Sequence, residues 1–490
     1  MKLKILSAMC LFALLAGCQS DIEMELERAP LNKISIHSLL DEASQTKNEN
    51  PDQSLQVALK GLSASQSLQY TEGELRAYSI LTSIYLYQYK DMDKAHHYLE
   101  EYSKVMKQKE SQTALSRYYY NKGVTFYNEE RYSDAFRFLI KAKALYEEGI
   151  DNDKGLSNTY YTLGLIKSKT FQYSQAKDYL EKAFKLAEKG EYDLIYIAAM
   201  EQYGNILLWE GNFRKSNEYF GKSSAQALNA GDYENVADGL NVMGYNLVRL
   251  GDYDQAKEKL EQAQKYALEA NSDVQKGNVK LNLSYLEGHK GNHSAGYAYL
   301  TEAETIFREL KMEDKLMEVY GQLAWHHTNL GQLTKARVAI EYGLEYTASA
   351  RKIDTDEFFK HAYNVADALG NSSDLYRYKF EQANLELDRR RKNDMVGMTQ
   401  IEAEHEETQA ANRLELDKAA LGLEQAQVEK LNLTRGLVVA FLLLLIVAGV
   451  SLSVGFINNF RASNDLRKLS KDFLNNSSEI LQKYGSGEKI

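Results

Sequence analysis

Nine histidines are the side chains of this 490-residue sequence best suited to metal or acid–base chemistry, and their spacing argues against both. His96-His97 and His326-His327 are adjacent pairs. His289 and His293 are four apart, a spacing that on one helix face would suit zinc, but Gly291 falls between them and is expected to end the helix. No His-Glu-x-x-His, no Cys-x-x-Cys and no glycine-rich phosphate loop occurs. The carboxylates are numerous but scattered, as solvated helix faces are. The expectation is a protein without catalytic residues, metal or cofactor, and not an enzyme. A net charge of −10 and a pI near 5.6 also argue against a nucleic-acid partner.

What the residue pattern does encode is a repeat. The segment 242–263 is its clearest copy: Met243-Gly244, Leu247, Leu250-Gly251-Asp252-Tyr253, Ala256, Leu260 and Ala263. The small residues Ser83, Gly123, Gly164, Gly204, Gly244, Ser284 and Ala324 recur at steps of 40, 41, 40, 40, 40 and 40 residues. A fixed period of this size marks a stacked array, which buries a core without dividing into compact domains. Each period reads as two antiparallel helices. Small residues on both let the backbones approach, Leu180 or Leu260 fills the space between, and Gly211, Gly251, Gly291 and Gly331 end the first helix in a left-handed cap.

At these residues the sequence resembles the tetratricopeptide repeat (TPR) family, over about 46–384. The resemblance implies an all-α, helical-hairpin solenoid with a concave wall made by the first helices. Its groove positions precede the small residue by six and three and follow it by one and four. In the site they define here we place Tyr120, Tyr127, Asn158, Tyr161, Asn205, Asn241, Tyr245, Asn278, Tyr285 and Trp325. Glu201, Asp238 and Glu318 fall on the same register. Asparagine amides can pair with the donor and acceptor of an extended backbone, and tyrosines supply stiff amphipathic contact. The implied partner is a protein or peptide in the groove; the alternative is that these residues only solvate the inner wall. The lysine and arginine pattern with which some family members clamp a C-terminal carboxylate is absent.

The flanks concern the membrane. Residues 1–17 read as a signal peptide: Lys2 and Lys4, an apolar run, then Leu15-Ala16-Gly17-Cys18. That tetrapeptide resembles the lipobox of bacterial lipoproteins, which implies cleavage before Cys18, acylation of that residue and loss of Cys10. Residues 18–40 read as a tether, and 41–385 as the array, with about seven clear repeats and a partial unit at each end. Asn50-Pro51-Asp52 supplies a cap and a first-turn proline for the incomplete first unit.

Residues 386–432 read as a helical linker. Leu414, Leu421 and Val428, seven apart, would allow oligomerisation through a short coiled coil, and a solvated single helix is the alternative. Residues 436–457 contain no charge and are long enough to span a bilayer. Arg461, Arg467, Lys468 and Lys471 follow, so the positive-inside rule places the tail, 458–490, in the cytoplasm. Lipid and apolar helix together imply a bacterial inner-membrane protein with its repeats in the periplasm. Two functions fit: a membrane-anchored scaffold for other proteins or peptides, or a sensory input component acting through a separate cytoplasmic partner. The second rests on a resemblance to the input half of TPR-containing membrane-bound bacterial sensors. The tail itself is too short for an output domain.

Overall fold

The computed structural model describes residues 32–48, 50–107, 111–148, 152–346, 352–370, 374–459 and 465–485. The expected signal peptide and Cys18 lie outside them.

Helices pair in chain order. The hairpins are α1 (Lys33–Thr46) with α2 (Pro51–Ser67), α3 (Thr71–Tyr87) with α4 (Met92–Met106), α5 (Gln112–Asn128) with α6 (Tyr132–Glu147), and α7 (Asp153–Lys169) with α8 (Tyr173–Lys189). They continue as α9 (Asp193–Trp209) with α10 (Phe213–Asn229), α11 (Tyr233–Leu250) with α12 (Tyr253–Glu269), α13 (Asp273–His289) with α14 (His293–Glu309), and α15 (Glu313–Asn329) with α16 (Leu333–Leu344). Then come α17 (Lys352–Ala368), the 86-residue α18 (Asp374–Asn459) and α19 (Asp465–Gly485).

The hairpin follows from one steric match. A Cβ placed on Gly123, Gly164, Gly204 or Gly244 would fall 2.6, 2.7, 2.8 or 2.6 Å from the side chain of Leu139, Leu180, Phe220 or Leu260, respectively. In every case the large residue follows the glycine by 16 positions. Ser284 and Leu300, then Ala324 and Ile340, keep the same register and are likewise fully buried. The apolar stripe of the second helix, such as Ala256, Leu260, Ala263 and Ala267, has no exposure at all.

The turn is equally determined. Gly211, Gly251, Gly291 and Gly331 take φ of 75, 82, 84 and 69°, the left-handed caps that their positions imply. The next N–H closes the cap five residues back, as from Asp252 to the Leu247 carbonyl at 2.9 Å. Asp232, Asp252 and Ser272 then cap the following helix by accepting a backbone N–H three residues on.

Two boundaries differ from expectation. The first unit is complete: α1 starts at Lys33, inside the stretch read as a tether to residue 40. Ile36, Leu40 and Ala43, fully buried, give this short helix an apolar stripe that the surrounding polar residues obscure in sequence, and Leu40 fills the space above Gly61. The linker helix also begins early, at Asp374, because nothing there breaks the helix.

Residues 394–402 of α18 pack back on the repeats at α6 and α7. Met398 is fully buried and Ile401 nearly so, in one cluster with Phe136, Ile140, Leu163 and Ile166. Ser133 Oγ donates to Asp394, and Lys167 Nζ, with no side-chain exposure, pairs with Glu402 at 2.8 Å.

The remainder, 403–490, is a separate unit. Leu414, Leu421 and Val428 are exposed there in the single chain. The helix holds an 18-residue window of mean hydropathy 2.5 with no buried share, which is long and apolar enough to cross a membrane.

Candidate functional site

Stacking brings the first helices α9, α11, α13, α15 and α17 to one wall, and a cleft of about 390 Å³ opens along it. Asn205, Asn241, Tyr245, Asn278 and Tyr285 line this cleft together with Asp238, Asp314, Glu318, Gln322, Glu357 and His361. Tyr120, Tyr127, Asn158 and Tyr161 do not, since they lie earlier on α5 and α7. Tyr120 and Tyr161 are instead held among other phenols, where burial pushes both hydroxyls above the ordinary tyrosine range. Trp325 sits beside the cleft, stacked on His361 at 5.9 Å and tilted over His289 at 5.3 Å.

Asn241 does not behave as a free groove amide. It is 4% exposed, and its Oδ1 accepts from Asn282 Nδ2 at 3.0 Å. Its substitution therefore breaks a contact between α11 and α13, whereas Asn205 and Asn278 are only half-buried. Tyr245 and Tyr285 stack at 5.3 Å, and Arg249, lying over Phe213, donates to the Tyr245 hydroxyl at 2.8 Å. Burial, then Glu357, pushes the Tyr245 phenol up to about 12, so it stays a neutral donor at physiological pH.

Several polar atoms of the wall are enclosed without a hydrogen-bond partner: Glu201 Oε1, Asn278 Oδ1, Gln322 Oε1 and His361 Nδ1. Glu201 is held up to about 9, chiefly by burial and then by Asp238 and Asp232. His361 is held down to about 4 by burial and then by Lys360. The repeat register points to Glu201 and Asn278 but misses Gln322 and His361. Gln322 lies two residues before Ala324, between the standard groove positions, and His361 belongs to α17, where the signature of small and large residues has decayed.

The histidines make contacts of another kind. His289 ends α13 and His293 opens α14, so they share no helix face. His293 Nδ1 meets His326 Nδ1 at 3.1 Å, and His326 Nε2 meets Ser284 Oγ at 2.8 Å. Burial, followed by the neighbouring imidazoles of His293, His361 and His327, holds fully buried His326 down to about 3, a neutral bridge between hairpins. Among the described residues no group of three His, Cys, Asp or Glu side chains is arranged to hold a metal ion.

A stacked hairpin with a 40-residue period, a left-handed cap and a polar concave wall defines a helical-repeat solenoid. Tetratricopeptide repeat models match residues 114–189 and 237–269, so the array contains repeats of that type. Among solved structures, the apo form of RapI is similar at 16% identity and a TM-score of 0.57, over 72% of this chain and 98% of its own. The apo form of the quorum sensor NprR from B. thuringiensis is similar at 16% identity and a TM-score of 0.51, over 74% and 99%. At these identities the likeness is one of fold. No curated protein matches the sequence significantly.

Proposed function

We propose that this chain is a membrane-anchored repeat protein that binds an extended polypeptide in its concave groove. The carrying observation is the wall itself: amides and phenols on consecutive first helices converge on one cleft, with enclosed polar atoms that no group of the protein satisfies. A ligand that hydrogen-bonds them removes a desolvation penalty of roughly 1–3 kcal/mol per group. Acylated Cys18 and the apolar stretch 436–457 would hold the array at the inner membrane with the repeats outside the cytoplasm. Leu414, Leu421 and Val428 offer a seam for a second copy.

Scaffolding is the first reading. Sensory input is the second, favoured by one contact: the stretch of α18 that docks on α6 and α7 through Lys167 and Glu402 belongs to the same helix as the apolar segment. NprR, similar in fold, is itself described as a quorum sensor.

The test is capture of envelope proteins and peptides by the full chain after crosslinking. Asn205→Ala, Asn278→Ala and Tyr245→Ala should each weaken capture by roughly 0.5–1.5 kcal/mol, with little change in melting temperature for the two asparagines. Unchanged capture by the triple variant, with loss on deleting 458–490, would move recognition to the tail and leave the array a spacer.

A further inference from the structure

The groove also specifies a ligand chemistry, and this inference rests on the groove reading. Two orphaned atoms in its lining, the amide oxygens of Asn278 and Gln322, are acceptors. Both residues line the cleft and Gln322 is 7% exposed, so these acceptors are built into its wall and do not sit at its rim. The ligand must bring N–H donors.

Charge sharpens the requirement. Four carboxylates, Asp238, Asp314, Glu318 and Glu357, line the cleft against one ammonium, Lys315, which lies 3.1 Å from Glu318. Arg249 and Lys360 are nearby, and Arg249 interacts with Glu357 as well as with Tyr245 and Phe213. Glu201, one turn before Asn205, is kept protonated first by burial and then by its charged neighbours Asp238 and Asp232. A cation there would let it ionise.

We propose that the groove takes an extended peptide carrying lysine or arginine, with the cationic side chain seated against Glu201 and Asp238 and backbone N–H groups donated to Asn278 and Gln322. Glu201, Asn278 and Gln322 stand on three different first helices, α9, α13 and α15, which suits the successive contacts of an extended chain.

The experiment uses the full chain in detergent micelles and fluorescent pools of random hexapeptides in which lysine, norleucine or glutamate is fixed at each position in turn. At one or more positions the lysine pool should bind at least tenfold more tightly than the norleucine pool. In Glu201→Gln, whose fold is checked by circular dichroism, that preference should shrink below threefold while norleucine-pool binding persists. Equal lysine and norleucine binding, or a preference for glutamate, overturns the inference and leaves the groove reading intact. Full competition by spermidine alone also overturns it, in favour of a free polyamine. If no pool binds wild type above background, the groove reading fails and this inference with it.

Discussion

Replacing Gly244 by alanine probes the contact on which the hairpin depends. The new Cβ would lie 2.6 Å from Leu260 Cγ, 2.7 Å from its Cδ2 and 3.4 Å from the Ala256 carbonyl oxygen, all on a second helix that cannot retreat without moving its neighbours. Alanine is worth about 1 kcal/mol over glycine inside a helix, while overpacking of this kind costs about 1–3 kcal/mol. The net expectation is a loss of about 1 kcal/mol. Gly221, on α10 with nothing within 4 Å of its would-be Cβ, is the control, and Gly221→Ala should stabilise by about 0.5–1 kcal/mol. Leu260→Ala alone should cost about 2–5 kcal/mol, and the double variant less than the sum by at least about 0.5 kcal/mol, because the Cβ at 244 then occupies the vacated space. Since repeats respond locally, urea unfolding should be joined to hydrogen exchange over 204–303. Stabilisation by Gly244→Ala equal to that of Gly221→Ala, with no coupling to Leu260, would refute the close approach and the repeat register with it.

Two further outcomes follow from buried charge. His326 and His361 have folded pKa values of about 3 and about 4, below the ordinary value of about 6.5, so the folded state binds fewer protons than the unfolded. Their contribution is fully present above pH 6.5 and is lost as pH falls towards 4; at pH 5 each costs roughly 2 kcal/mol, and a urea midpoint unchanged between pH 7.5 and 5 would contradict this. Lys167→Met removes an ammonium that is fully buried between the Phe136 ring, at 4.5 Å, and Glu402. With Glu402 left unpaired, residues 394–402 should exchange amide protons faster, whereas unchanged protection would show that Met398 and Ile401 hold the helix alone.

How much of this was legible depends on where repetition reaches. Gly244 with Leu260 and Gly251 with Asp252 could be read directly, because the same types recur every 40 residues and each has a steric or conformational cause. The groove was legible as a list of positions but not as a place: Tyr120 and Tyr161 satisfy the register yet pack into a separate phenol cluster, while Asn241 spends its amide on Asn282. Glu357 and His361 were hidden because α17 has lost its repeat signature, and α1 because three apolar residues among polar ones leave a faint period. The docking of 394–402 had no local signal at all. Met398 and Ile401 read as ordinary linker residues until their neighbours, more than 230 positions earlier, are known.

That docking changes the array as a mechanical object. Contacts within a solenoid are short-range, so an open array folds outward from any nucleus and frays from either end. Pairs separated by 261 residues, Ser133 with Asp394, and by 235, Lys167 with Glu402, convert the segment between them into a closed loop. Closing so long a loop costs chain entropy, a cost that falls once the intervening hairpins have stacked and hold its ends near each other. The cleft spans α9 to α17, inside the closed segment, so any ligand that alters the stacking there works against the closing contact, whichever hairpin it touches.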